Sequence, residues 1–150
     1  MKYYILFLIF FSFKSLVACE REPTVDMIRS FLEAVSNNTY DTDQIVEKYI
    51  CYSPPDHEKK SKEAYELLKM QVEALGTLVE NHSIESLDII PYQDLPKEEQ
   101  DIITDDNSLA NIYVVKTGKD RLMSIFIKNK KIGSFVTLRK GNHRIFALFC

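Results

Sequence analysis

The three histidines are the side chains whose type best suits acid–base or metal chemistry near neutral pH. His57 precedes Glu58, as in the zinc-binding pattern HExxH, but residue 61 is Ser and the second ligand is missing. His82 and His143 show no partner in the sequence, and we interpret them as a helix-end residue and a turn residue. The histidines therefore predict no catalytic residue, no metal site and no cofactor.

Asp101, Asp105 and Asp106 form a second group of interest, because hard cations such as Ca²⁺ bind carboxylates. They lack the ligand spacing and the glycine of an EF-hand loop, so we interpret them as a solvated acidic loop. The sequence also contains no phosphate-binding loop, dinucleotide-binding pattern, nucleophile elbow or CxxC pair. An enzyme whose acid and base come from distant positions remains open, because such sites need no local motif.

The N-terminal segment has the order of an export signal. Lys2 is followed by an apolar run from Tyr3 to Phe13 that is broken only at Ser12. The run suits a signal sequence and is too short to span a bilayer, which needs about 20 residues. We expect this segment to direct the chain out of the cytoplasm.

Leu16-Val17-Ala18-Cys19 follows the apolar run and resembles the lipobox of bacterial lipoproteins. The resemblance implies that residues 1–18 are a signal peptide and that Cys19 becomes the first residue and carries acyl chains such as palmitate. A short tether, residues 19–23, would then hold the protein on a membrane facing the periplasm or the cell surface. Secretion with cleavage after Ala18 and an uncleaved anchor are the alternatives.

The charge of the remaining chain bears on its partners. Removing residues 1–18 leaves 132 residues, with 17 basic and 22 acidic side chains and a net charge of −5. Nucleic-acid-binding proteins carry a basic footprint, so we predict no nucleic-acid partner. A chain of this length can bury a core of its own, and we expect one domain, residues 24–150.

Cys51 and Cys150 remain as a pair of thiols if Cys19 is lipidated. In an oxidising compartment they could form a disulfide that closes a loop of about 100 residues. Two buried thiols that never meet are the alternative, because the sequence does not place their Cα atoms within bridging range.

Apolar spacing predicts three helices in the first part of the domain. We expect Thr24 to cap the first helix, which carries an apolar stripe from Ile28 to Val35. Asp41 with Gln44 predicts the start of a short second helix, and residues 57–81 form the longest one.

The last forty residues predict an antiparallel meander. Turn residues separate four β-rich runs, at 111–117, 121–128, 131–139 and 143–150. A further strand ends at Pro91, and the acidic, turn-rich segment 94–108 is expected to be a mobile excursion. The final run is apolar on both faces, which predicts a central or strongly curved strand. Helices followed by a meander give an α+β fold, with the helices packed on one face of a curved sheet.

This order of elements resembles the NTF2-like (cystatin-like) α+β superfamily. The resemblance lies in the opening helix from Thr24 to Val35, the second helix ending at Ile50, and the strands from Leu122 to Cys150. The family places a β-hairpin between its early helices and main sheet, where this chain has the long helix 57–81. The resemblance implies a small envelope lipoprotein of Bacteroidetes type, with a cone that either holds a ligand or is filled by side chains.

Six basic side chains gather at the predicted meander turns: Lys128, Lys130, Lys131, Arg139, Lys140 and Arg144. They either protect the sheet edge or form a basic end for an acidic partner or lipid headgroups. Since catalytic motifs are lacking, we expect a membrane-tethered binding module for an envelope protein, peptide or small ligand. The alternatives are a small enzyme with groups such as His82 and Tyr113 in a cavity, and a periplasmic inhibitor or immunity protein.

Overall fold

The computed structural model describes residues 22–37, 40–56, 58–104 and 109–150. In these ranges the helices come first: α1 (Pro23–Ser36), α2 (Thr42–Tyr49) and α3 (Glu58–Val79). The strands follow: β1 (Asp88–Pro91), β2 (Ile112–Thr117), β3 (Asp120–Lys128), β4 (Lys131–Ser134), β5 (Thr137–Lys140) and β6 (His143–Phe146). This order confirms the α+β fold. The predicted signal peptide, Cys19, His57, Asp105 and Asp106 lie outside the described residues.

Helix α1 begins at Pro23, so the prediction that Thr24 caps it is wrong. Proline suits the first position of a helix, because it lacks the N–H that would stay unpaired there and its φ is already helical. Glu22 therefore occupies the cap position, and Thr24 lies in the first turn. The predicted stripe from Ile28 to Val35 is buried and faces the core.

Helices α2 and α3 lie where the sequence predicts them. Asp41 is the N-cap of α2, although its side chain makes no hydrogen bond to the described helix backbone. Helix α3 falls within the predicted range 57–81. Gly76 allows α3 to approach α1 closely, because a Cβ at this position would lie 2.6 Å from the carbonyl oxygen of Val35.

Strands β1 to β4 form one antiparallel sheet in chain order. The registers place Ile89 opposite Val115 and Tyr113 opposite Ile125. The helix-facing side chains of this sheet share one buried cluster with the three helices. The first strand ends at Pro91, as predicted, because proline has no N–H to continue the ladder.

The expected continuous meander is wrong, because the predicted third strand, 131–139, is two strands. Strand β4 ends at Ser134, and β5 pairs with β6 in a separate two-stranded sheet. The Ser134 hydroxyl donates to the carbonyl of Ala147 at 2.6 Å and accepts from the N–H of Val136 at 3.1 Å. A buried hydroxyl that bonds nearby backbone groups in this way competes with the strand ladder.

The face of the sheet opposite the helices is covered too, by the excursion after β1 and by the β5–β6 hairpin. This second cluster consists of Tyr92, Leu95, Ile102, Ile112, Val114 and Phe126, with Ile90 and Phe146 against it. Two residues of the predicted excursion, Leu95 and Ile102, are therefore buried, which the sequence did not predict. Leu95 and Ile102 anchor the excursion, but the positions of a helical stripe between them are Glu98 and Glu99, so no continuous apolar period predicts their burial.

The end of the chain is apolar on both sides because successive residues pack on different clusters. Phe146 joins the second cluster, whereas the ring of Phe149 lies 5.1 Å from that of Phe135 at the helix-side core. The prediction of a central final strand is wrong, since β6 ends at Phe146. The tail, residues 147–150, instead runs beside β4, where the N–H of Phe149 donates to the carbonyl of Gly133 at 2.9 Å.

A disulfide joins Cys51 to Cys150, which are 99 residues apart in sequence, and their Cα atoms lie 5.7 Å apart. The N–H of Cys51 donates to the carbonyl of Ile132 in β4 at 2.8 Å, and that of Ser53 donates to the carbonyl of Phe149 at 3.0 Å. The disulfide therefore ties the tail and the segment after α2 to the same edge of the sheet.

Candidate functional site

A groove opens at the end of the sheet where β3 turns into β4, with a volume of 1170 Å³. Its apolar walls include Met27, Ile103, Phe126, Ile127, Ile145 and Leu148. Sites for small molecules occupy roughly 300 to 1,000 Å³. The groove is therefore large enough for a ligand of at least that size.

Four parts of the chain build most of the walls. Helix α1 begins at the groove and contributes Met27 from its second turn, and β3 contributes Phe126 and Ile127. Ile145 comes from the hairpin, and the tail contributes Leu148. The side chain of Leu148 is 57% exposed, so the groove offers apolar surface to a ligand.

The rim of the groove is basic. Lys128, Lys130, Lys140 and His143 all line it, and all four are exposed. Lys140 and His143 are cross-strand partners in the hairpin, so their side chains lie on the same face. None of the described lining residues is Asp or Glu. An anionic group at this rim would meet positive charge without a competing carboxylate among these described residues.

The turn between β3 and β4 places Lys130 at the rim. Asn129 and Lys130 have φ values of 52° and 61°, the left-handed conformation required at both central positions of a type I′ hairpin turn. Asn tolerates this conformation, whereas for Lys it costs roughly 1 to 2 kcal/mol. This strained turn is the one that places the Lys130 side chain in an exposed position at the groove.

Asp101 belongs to an ion-pair network. Its carboxylate lies 2.6 Å from Nη1 of Arg121 and 3.4 Å from Nε of Arg144. Nearby, Lys116 pairs with Glu99 at 3.0 Å. These bonds attach the excursion to β2, β3 and β6, so the interpretation of Asp101 as part of a solvated loop is wrong. Within the described ranges, no group of three or more His, Cys, Asp or Glu side chains is placed to hold a metal ion.

Tyr113 and His82 do not share a cavity. The hydroxyl of Tyr113 donates to Oε1 of Glu22 at 2.7 Å, and burial followed by this hydrogen bond raises the pKa of Tyr113. His82 lies beyond the end of α3, where its backbone N–H donates to the carbonyl of Val79 at 2.9 Å. Neither side chain lines the groove, which takes its one described histidine, His143, from the start of β6.

The six basic residues at the predicted turns have different surroundings. Lys128, Lys130 and Lys140 line the groove, and Lys128 also donates to the carbonyl of Cys150 at 2.9 Å. Lys131 donates to the carbonyl of Glu47 at 2.7 Å, which fastens β4 to α2. The sequence indicated a basic end but not the apolar groove beside it, because the walls come from distant parts of the chain.

Comparison with known proteins finds no family model, no curated protein and no solved structure that matches this chain. No helix in the described part has the length and apolar character needed to cross a bilayer.

Proposed function

We propose that this protein is an exported, lipid-anchored domain that acts by binding a ligand rather than by catalysis. The observation that carries the proposal is the groove, which combines apolar walls with a basic rim. Its rim also includes Pro23 and Thr24, the residues at which the described domain begins. The predicted anchor, Cys19, is only four residues from Pro23.

The disulfide supports export. Disulfides persist in oxidising compartments such as the periplasm and are rare in the cytosol. Cys51 and Cys150 use two of the three cysteines, which leaves Cys19 as the thiol of the lipobox-like sequence. Both features agree with a lipoprotein that faces the periplasm or the cell surface.

A binding role is favoured over catalysis because the groove brings no acid–base pair together. General acid–base catalysis needs a positioned proton donor or acceptor, usually oriented by a partner group. His143 is the one histidine among the described lining residues, and no carboxylate lies among those residues to orient it.

The α+β architecture agrees with the proposed kinship to the NTF2-like superfamily. Helices precede an antiparallel sheet in both, and the helices cover one face of the sheet. Two features depart from the expectation: α3 replaces the family's early hairpin, and the opposite face of the sheet is covered as well. We keep the family as a proposal that a solved structure would test.

Anchoring can be measured on the purified full-length gene product. Intact mass spectrometry should show loss of residues 1–18 and added acyl chains on Cys19, and a Cys19→Ala variant should remain unprocessed. An intact Met1, or an unmodified thiol at a new N-terminus, would contradict the anchored location.

Ligand binding can be measured by native mass spectrometry of the same protein released gently from membranes. Leu148→Trp fills the groove, and Leu67→Trp on α3 is the matched control, since the two leucines are 57% and 55% exposed. We expect a small-molecule adduct that Leu148→Trp loses and Leu67→Trp retains. An adduct that survives Leu148→Trp, or no adduct on the wild-type protein, would contradict a binding function for the groove.

A further inference from the structure

The groove lies next to the point where the chain leaves for the predicted anchor. Glu22 caps α1 and accepts the hydrogen bond of the Tyr113 hydroxyl, so the start of the domain is fixed against β2. Three residue steps separate Cys19 from Glu22, and an extended chain spans at most about 3.6 Å per residue. Pro23, the first residue that lines the groove, is one step further, so if Cys19 is anchored as proposed, the edge of the groove lies within roughly 14 Å of the anchored end of the chain.

The rim carries positive charge that the described fold does not neutralise. The side chains of Lys130 and Lys140 make no hydrogen bond or ion pair with any residue that the structure describes. The chain beyond residue 18 has a net charge of −5, so this basic rim is a local exception to its overall charge. Lysines close to a membrane surface are attracted to anionic lipids.

The groove is apolar at its inner wall and basic at its rim, so it is complementary to an amphiphile. Phe126 and Ile127 are buried at the inner wall, and Ile145 is half-buried, whereas the lysines lie at the exposed rim. An acyl chain fits the inner wall, because burial of each methylene stabilises it. A phosphate fits the rim, where an acidic peptide would leave the apolar wall uncovered.

We propose that an anionic phospholipid of the membrane that carries the anchor places an acyl chain in this groove, with its phosphate on the rim formed by Lys128, Lys130 and Lys140. This inference rests on the proposed function and names the ligand class of the same site. The domain then holds the membrane through two contacts, the anchor at Cys19 and the lipid in the groove. The second contact orients the β3–β4 turn and the hairpin towards the bilayer.

The test uses the full chain, processed by the cell and reconstituted in phosphatidylcholine vesicles. Two sets of vesicles are compared, one with photoreactive phosphatidylglycerol and one with photoreactive phosphatidylcholine. The photoreactive group is on the acyl chain, and the mole fraction of the photoreactive lipid is the same in both sets. After illumination, mass spectrometry maps the labelled peptides. The variants are Lys130→Gln, Lys140→Gln and their combination, and Lys59→Gln with Lys62→Gln on α3 is the control that removes the same charge elsewhere.

We expect phosphatidylglycerol to label peptides that contain Met27 or residues 143–148. Removing one rim lysine should weaken this labelling about fivefold, because one lysine contributes about that factor to binding at an anionic surface. The control substitutions on α3 should leave the labelling unchanged. Equal labelling by phosphatidylcholine, or labelling that the rim variants do not reduce, would overturn the inference.

If neither lipid labels the groove, the inference is overturned as well. The groove would then be empty or would hold another occupant: an acyl chain of Cys19 itself, a peptide or a second copy of the chain. The native mass spectra separate this failure from failure of the proposed function. A Leu148→Trp-sensitive adduct of another chemical class would leave the binding function in place without the lipid. Absence of any adduct would remove both.

Discussion

Removing the disulfide between Cys51 and Cys150 is expected to lower the free energy of unfolding by about 4 to 5 kcal/mol. The two cysteines are 99 residues apart, and the chain-entropy model assigns about 4.7 kcal/mol to a cross-link that closes a loop of about 100 residues. The native state of a single domain is typically stable by about 5 to 15 kcal/mol. The bond therefore accounts for a large part of the stability of this fold.

The native fold should survive without the bond, so the loss arises mainly in the unfolded chain. The tail keeps its hydrogen bonds, from the N–H of Phe149 to Gly133 at 2.9 Å and from the N–H of Ser53 to Phe149 at 3.0 Å. The Phe149 ring also remains packed against Phe135. The unfolded chain without the bond is less compact and exposes more surface, so the slope of unfolding against urea should rise.

Urea unfolding followed by far-ultraviolet circular dichroism measures both effects on the wild type and on Cys51→Ala with Cys150→Ala. A reductant supplies the control, since it should destabilise the wild type and leave the double variant unchanged. A loss of stability below about 1 kcal/mol, with an unchanged slope, would refute the argument that the bond acts by restricting a long loop.

Three further predictions concern packing, charge and pH. Gly76→Ala should lower the free energy of unfolding by about 1 to 3 kcal/mol in urea titration, although alanine favours helices, because its Cβ would lie 2.6 Å from the Val35 carbonyl oxygen. Asp101→Asn should cost about 1 to 3 kcal/mol, because Arg121 and a second arginine lose their anionic partner, and the cost should shrink when unfolding is repeated at high salt. Burial raises the pKa of Tyr113, so its contribution is present below the unfolded pKa of about 10 and is lost as the pH rises through the folded value. Thermal melts at neutral and strongly alkaline pH should therefore show a smaller alkaline loss for Tyr113→Phe than for the wild type.

The helices could be predicted from the sequence because their signals are local. The stripe from Ile28 to Val35 has the period of a helix, and residues 57–81 keep that period over several turns. The cap of α1 was mispredicted for an equally local reason. Thr24 is a common cap residue, but Pro23 already supplies a helical φ, so the cap and the helix start lie two positions earlier.

The division of the last four runs into two sheets could not be predicted from turn residues alone. In the sequence, Ser134 is an ordinary polar residue within a predicted strand. It ends the strand because the fold brings the carbonyl oxygen of Ala147 within 2.6 Å of its hydroxyl. The second cluster also depends on contacts that only the fold creates. Leu95 and Ile102 belong to no continuous apolar stripe, and they are buried because they cover the other face of the sheet.

The groove shows where a sequence argument about function ends. The sequence shows Lys130 and Lys140 as basic turn residues, and edge protection is the better explanation of them at that level. Their role depends on Met27, which is more than 100 positions away in the chain but lines the same groove. Such a site has no sequence signal, because no short segment contains both its apolar and its basic part.

The tail connects the disulfide to the groove. Phe149 packs towards the helix-side core and Cys150 is bonded to Cys51, so Leu148 between the hairpin and these two anchors is held facing outwards in the groove wall. The carbonyl of Cys150 also accepts the hydrogen bond of Lys128 and so helps to position one lysine of the rim. On the proposed function, the disulfide therefore stabilises the fold that holds the groove wall in an oxidising compartment. A chain kept in a reducing compartment would have the same wall in its native state but would populate that state less, because its free energy of unfolding is lower by about 4 to 5 kcal/mol.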